Sequence, residues 1–407
     1  MKKVLILVLA AAMVLTLFTA CADGGAATSE TIPQESVATP DSGESAAASG
    51  EQAGTSCDPD EKLAELDGKS ITVGPNGETP VFASDISITD EQIEQVKAMN
   101  LKAAIAMQYT GNDWSQAQID ALKATFEKYG IEVIAVTDPN FDAAQQTADI
   151  ESILATDPDI LVSIPVDTAA NSAIYKKATE QGVKVVFMNQ AGDNLVPGED
   201  YVTIVSPDDM GNGARCAHLL AKAIGGKGKI GIIYYDAVFR TTEIRYDEAL
   251  KVFEECYPEI EIVEEQGFSG SDSSGAAGEV AAAMLTKHPD LDGIWGIWDV
   301  PSEGIIAAVK QAGMEDQVAV TTIDLGLNVG IELAKGGVIK GLAAQQVYDA
   351  GVAEATCAAL ACLGEEVPTF ITTSGFVVEQ DNVLDMWKNV YYADPPQELV
   401  AAAETPQ

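Results

Sequence analysis

Residues 103–136 read AAIAMQYTGNDWSQAQIDALKATFEKYGIEVIAV. A short apolar run at 103–107 leads through a polar turn into residues 114–129, where Ile119, Leu122 and Phe126 recur at helical spacing; a second apolar run follows at 133–136. Strand, helix and strand in so short a span make one βαβ unit. The alternation then continues down the chain. Apolar runs stand at 160–164, 184–188, 229–235, 260–265, 293–298, 318–323 and 338–344. Helical patterns fill the gaps at 143–154, 169–181, 210–224, 243–256, 280–287, 302–312 and 329–335. Short apolar runs separated by amphipathic helices predict parallel sheets covered on both faces. About eleven strands are too many for one open sheet, so the fold class is α/β with two doubly wound parallel-sheet lobes. In such folds ligands sit at the carboxyl ends of strands.

Toward the N-terminus the composition changes. Met1-Lys2-Lys3 is a short positive start, and residues 4–18 are uninterruptedly apolar or small, shorter than the about 20 residues of a membrane span. Residues 1–20 therefore read as a secretory signal peptide. Leu17-Phe18-Thr19-Ala20-Cys21 resembles the bacterial lipobox, which implies an extracytoplasmic protein anchored to the cell membrane through lipidated Cys21; plain secretion is the alternative. Residues 22–61 hold nine acids and no Lys or Arg, and are rich in Ala, Ser, Gly, Thr and Pro. Such a segment cannot bury enough apolar surface to offset its ordering entropy, so residues 21–62 are expected to form a disordered acidic tether. Cys57, within it, is a candidate exposed thiol. Residues 63–100 form a lead-in segment in which Thr89-Asp90-Glu91-Gln92 resembles a helix start, and residues 393–407 are a tail.

The whole chain carries 23 Lys and Arg against 63 Asp and Glu, a formal charge of −40. Such a surface repels phosphate backbones and anionic headgroups, which excludes nucleic acid as a partner. Two histidines, His218 and His288, leave little for histidine catalysis or metal ligation, and six cysteines are too few for a disulfide scaffold. With Cys21 lipidated, five remain, an odd number that cannot all pair internally.

The strand ends carry a coherent set. Asn112, Asp113 and Trp114 follow the first strand, Asp167 the third, and Asn189 with Gln190 the fourth. In the second half stand Arg245, Trp298, Asp299, Asp324 and Gln345. Planar carboxylates, amides and guanidinium each bind two neighbouring hydroxyls, and Trp rings offer flat apolar faces. The set suits a neutral polyol and lacks the cationic cluster a phosphate would need. Each residue has another reading: Asp113, Asp167 and Asp299 as caps of the helices that follow, and Arg245 as a partner of Asp247 or Glu248 across a helix turn.

In order and spacing, residues 103 to about 368 resemble the type I periplasmic binding proteins of sugar transporters, the ribose-binding branch. Asn112-Asp113-Trp114 stands where that family has its Asn and stacking aromatics, and residues 182–189, GVKVVFMN, resemble its fourth strand. Arg245 falls on the family's Arg, Trp298-Asp299 on an Asn-Asp pair, Thr322-Ile323-Asp324 on a Gly-Phe-Asp, and Ala344-Gln345 on the hinge Gln. Asn189-Gln190 replaces the ribose binders' Asp-Arg pair and Trp298 replaces Asn, departures that argue against ribose itself. The resemblance implies a hinge of three segments near 206–208, 345–347 and 369–374. It implies an N-terminal lobe of 101–206 plus 346–370 and a C-terminal lobe of 207–345 plus 371–392. It further implies a monomeric, non-enzymatic protein, without cofactor or metal, that encloses a carbohydrate between closing lobes and hands it to an ABC transporter permease, touching the membrane only through its lipid. A sensing receptor for an autoinducer-like or nucleoside-like ligand is the alternative.

Other signals fail on context. Residues 226–231, GKGKIG, fit G-x-G-x-x-G but precede a strand, the reverse of the dinucleotide fingerprint. Cys216 and His218, two apart on a helix, point different ways, and Cys357 and Cys362 are poorly spaced for a shared ligand. No nucleophile–His–acid set supports a hydrolase. An export signal and the absence of a basic N-terminal segment exclude a DNA-binding regulator.

Overall fold

The computed structural model describes residues 57–406. The signal peptide, Cys21 and the tether up to residue 56 lie outside the described residues.

The chain begins its first sheet with β1 (Val81–Phe82), β2 (Lys102–Ala106), β3 (Glu132–Thr137), β4 (Ile160–Ser163), β5 (Lys184–Met188) and β6 (Thr203–Ser206). A second sheet holds β7 (Gly228–Tyr235), β8 (Ile260–Phe268), β9 (Gly293–Gly296), β10 (Ala319–Ile323) and β11 (Ile339–Gln345). Then β12 (Phe370–Thr372) returns to the first sheet and β13 (Gly375–Val378) to the second. The orders are β1-β12-β6-β5-β4-β2-β3 and β13-β11-β10-β9-β7-β8, parallel throughout except for β11 with β13. Interior strands such as β4, β9 and β10 are buried along their whole length, which is why they read as unbroken apolar runs.

Helices cover the sheets. Those ahead of the passage from β6 are α1 (Pro59–Leu66), α2 (Asp90–Met99), α3 (Asp113–Lys128), α4 (Ala143–Leu154) and α5 (Ser172–Glu180). Next come α6 (Asp209–Ile224), α7 (Arg240–Cys256), α8 (Ser273–Lys287), α9 (Asp299–Ala312) and α10 (Leu327–Ala334). The chain closes with α11 (Val347–Leu363), α12 (Val383–Tyr391) and α13 (Gln397–Glu404). Their starts are written in side chains: Asn112, Asp142, Asp208 and Asp272 each accept backbone N–H groups of the first turn of α3, α4, α6 and α8.

Two findings differ from the composition-based reading of the flanks. Helix α1 starts at Pro59 under an Asp58 cap, inside the stretch expected to be tether up to residue 62. Asp before Pro is a helix-start signature that averaging over forty polar residues conceals. Cys57 is disulfide-bonded to Cys256 rather than an exposed thiol, a pairing across 199 residues that no local pattern announces. The lead-in and the tail are structured as well. Thr89 and Gln92 close a capping box on α2, whose Ile93 and Val96 are buried, and Leu399 and Ala402 of α13 are buried beside α10.

Candidate ligand-binding site

Residues at or beyond the carboxyl ends of strands from both sheets surround a cleft that is partly open to solvent. Asn112, Trp114 and Asn189 reach it from the first sheet, and Arg245, Trp298, Asp324 and Gln345 from the second. Two of these stand at left-handed backbone positions, Asn189 at φ 58° and Asp324 at φ 73°. A non-glycine residue held there, directly after a buried strand, marks a place where side-chain direction outweighs backbone comfort.

A polar chain runs through the cleft. The Trp114 indole N–H donates to Gln345 Oε1 at 3.3 Å, and Gln345 Nε2 donates to Asp324 Oδ1. Arg245 lies 3.6 Å from Asp324 Oδ2, and its Nε donates to Asp209 Oδ1 at 2.9 Å. Ser206 Oγ donates to the other Asp209 oxygen at 2.9 Å. Burial pushes Asp209 up to about 6, against the pull of the Arg245 charge, so at neutral pH it is an ionised partner of that guanidinium. For Arg245, burial alone would favour the neutral form. The Asp209 and Asp324 carboxylates outweigh it and hold the guanidinium above its ordinary value. Burial likewise raises Asp324, with Arg245 opposing. The cation of the cleft, Arg245, is therefore taken up by two carboxylates.

Polar atoms left over belong to Gln108, Asn189 and Thr241. Gln108 Oε1, Asn189 Oδ1 and Thr241 Oγ1 are buried, sit on cleft-lining residues and have no hydrogen-bond partner in the protein. Aromatic rings form the walls. Tyr109 stacks on Phe141 at 5.3 Å in the first lobe, and Trp298 packs edge-on to Tyr235 at 5.2 Å in the second. Phe141 and Tyr235 meet across the lobes at 6.4 Å.

Four residues expected at the site do not line it. Asp167 accepts the Ala169 and Ala170 N–H groups in a turn ahead of α5, whose cap position is Asn171, so it closes that turn and does not cap the helix. Asp299 is buried, accepts the Val300 N–H at 2.8 Å, and has its carboxyl pushed well up by burial and by neighbouring Asp324. Asp113 and Gln190 instead bridge the lobes beside the cleft. Asp113 Oδ2 accepts the Leu327 N–H at 2.7 Å, and Gln190 Oε1 accepts the Thr241 N–H at 3.3 Å. Arg245 pairs with Asp209 and Asp324, not with its helix neighbours Asp247 or Glu248. The aromatics Tyr109, Phe141 and Tyr235 were not singled out from sequence, although Tyr235 ends its strand as Trp298 follows its own. Cys216 and His218 engage different partners, Thr321 and Tyr257.

Comparison with known proteins places this geometry. The family model of the periplasmic binding protein domain matches residues 103–366. A putative rhizopine-binding protein of Rhizobium meliloti is 26% identical over 194 residues, 47% of this chain and 62% of that protein, so the chain spans just under two-thirds of this relative. A D-ribose/D-allose-binding protein of Pseudomonas aeruginosa is 27% identical over 230 residues, 55% of this chain and 70% of that one. Among solved structures, an ABC transporter solute-binding protein of Agrobacterium vitis with bound alpha-D-tagatopyranose superposes with a TM-score of 0.66 at 24% identity, covering 72% of this chain and 99% of that one. A periplasmic solute-binding protein of Actinobacillus succinogenes with bound D-allose gives a TM-score of 0.64 at 25% identity, covering 70% and 99%.

Proposed function

The chain belongs to the periplasmic binding protein domain family, and from that premise we propose that it captures a sugar or sugar-like neutral polyol between its two lobes and delivers it to an ABC transporter permease. The family consists of substrate-binding proteins, not enzymes, and works outside the cytoplasm. In this reading lipidated Cys21 holds the protein at the membrane, and the segment up to residue 56 lets the lobes reach the permease.

The observation that carries the proposal is the division of polar groups in the cleft. Arg245 is paired with two carboxylates, Asp209 and Asp324, so no positive charge remains for an anionic ligand. Gln108 Oε1, Asn189 Oδ1 and Thr241 Oγ1 await partners between aromatic walls. Hydroxyl groups on a ring with C–H faces satisfy both demands. A buried acceptor left unpaired costs about 1–3 kcal/mol, which is the source of selectivity between sugars differing by one hydroxyl. The relative named for D-ribose and D-allose, and the similar structure with bound D-allose, support the same class.

A thermal-shift screen of pentoses, hexoses, hexitols and cyclitols tests it. Ligand at 100 times Kd adds about 2.7 kcal/mol, which for a chain of this size raises Tm by about 4 °C. A neutral carbohydrate giving that shift supports the proposal; none doing so overturns it.

A further inference from the structure

Ahead of β1 the chain crosses between the lobes along a route of its own. It starts on the second lobe. Cys57 is bonded to Cys256 at the end of α7, Asp60 pairs with Lys222 of α6 at 2.9 Å, and Gly68 and Lys69 exchange backbone hydrogen bonds of 3.0 Å with Gly375 in β13. It finishes on the first lobe, where Val81 and Phe82 pair with Ile371 and Thr372 of β12.

Between these ends lies a closed clamp. Asp208, with a fully buried side chain, accepts the Ile71 and Thr72 N–H groups at 2.9 Å each and an Arg215 N–H at 2.8 Å. Arg215, equally buried, donates to the carbonyls of Leu66 and Lys69. A buried ion pair carries a desolvation cost of several kcal/mol per ion and is tolerated only when its remaining donors and acceptors are filled. Here the backbone of residues 66–72 takes up Arg215 Nη2 and Asp208 Oδ1, while Arg215 Nε has no hydrogen-bond partner in the protein. Gly375 keeps the space open, because a Cβ there would run into the Arg215 guanidinium. Beyond the clamp, Thr72, Val73 and Pro75 line a small cavity between Gln190 of the first lobe and Thr241 of the second.

We infer that residues 57–82 are a fourth interlobe crossing, a strap fixed to both lobes, and that Asp208 and Arg215 are positioning residues which through it limit how far the cleft opens. The three other passages, between β6 and α6, β11 and α11, and β12 and β13, are all short. They leave rotation about the hinge free, whereas a strap clamped on both sides restrains it. Restraint raises the share of molecules near the closed geometry, and apparent affinity improves in proportion to that share. Only this last consequence rests on the ligand reading above.

The test slackens the strap without removing either anchor. Inserting about ten Gly/Ser residues between Asn76 and Gly77, in an exposed turn, adds on the order of 18 Å of reach. Spin labels carried by unnatural residues at exposed Lys128 and Lys287, one on each lobe, report the interlobe distance in the full, ligand-free chain. The expected result is a broader distribution with a mean longer by roughly 5 Å or more. A distribution superimposable on that of the unmodified chain overturns the strap. Should that insertion fail to fold, a shorter one of about five Gly/Ser residues at the same turn, adding on the order of 12 Å, is read by the same two outcomes. No sugar enters the measurement, so a chain that binds no carbohydrate would overturn the proposed function and leave this result standing.

Discussion

Asp324 concentrates the chemistry of the cleft in one residue. Its left-handed backbone turns the carboxylate back toward the cleft, Gln345 holds one oxygen, and Arg245 faces the other. Removing it frees Arg245 to collapse onto Asp209 and loosens the Gln345 amide that Trp114 also uses. Asp324→Ala is therefore expected to weaken binding of the sugar found by thermal shift more than tenfold, at least about 1.4 kcal/mol by calorimetry. Trp298→Ala should do the same by removing a wall that packs on Tyr235 and Phe268. Asp167→Ala is the contrast. It deletes the acceptor of two turn N–H groups, so affinity stays within twofold while stability falls by about 1 kcal/mol in denaturant melts. Unchanged affinity in both Asp324→Ala and Trp298→Ala would remove the site assignment. The contrast also shows what the sequence could reveal. The strand-end rule found Trp298, Asp324 and Arg245, but an Asp after a strand serves a turn and a ligand equally well, and only the direction of the side chain separates Asp167 from Asp324. Tyr109 and Phe141 escaped because aromatic residues are ordinary core material until their rings are seen to face a cleft.

The same distinction between pattern and partner holds for whole elements. The long strands and helices were legible because parallel sheets covered on both faces leave unbroken apolar runs. Strands β1, β6, β12 and β13, of two to four residues, are too short to show a period, yet they stand where the chain changes lobes. Helix α11 carries a feature that periodicity hides altogether. Its Glu354 is buried against α3, and burial pushes the carboxyl well above its ordinary 4.5, with Gln118 of α3 opposing. The folded state thus holds a proton that the unfolded chain releases near pH 4.5. The contribution of this group to stability is complete below that pH and is lost as pH rises toward the folded value. Glu354→Gln, which keeps the shape and removes the titration, should match the unmodified chain in denaturant melts at pH 4. At pH 8 it should be the more stable by about 1 kcal/mol or more. A gap that does not widen between those pH values would mean that Glu354 is ionised within the fold.

At the scale of the molecule, two facts meet at the membrane. The formal charge of −40 makes the surface repel anionic headgroups, and no helix among the described residues is long and apolar enough to cross a bilayer. The 4–18 run falls short of a span and precedes the proposed cleavage point. The proposed attachment is through Cys21, where each buried CH₂ of an acyl chain would contribute about 0.8 kcal/mol and more than one chain is needed for durable anchoring. In that proposal charge and anchor have complementary roles, the first keeping the lobes in the aqueous phase and the second keeping them near the proposed permease. Cys21→Ser is expected to move the protein from the membrane fraction to the soluble exported fraction, followed by immunoblot after ultracentrifugation. The sugar-induced thermal shift of the released protein should be unchanged, because Cys21 lies 36 residues before the first described residue, Cys57, whose disulfide to Cys256 ties the chain to the second lobe. Retention of the variant in the membrane fraction would show that something other than this cysteine holds the protein there, and the lipid anchor would fall while capture of the sugar stood.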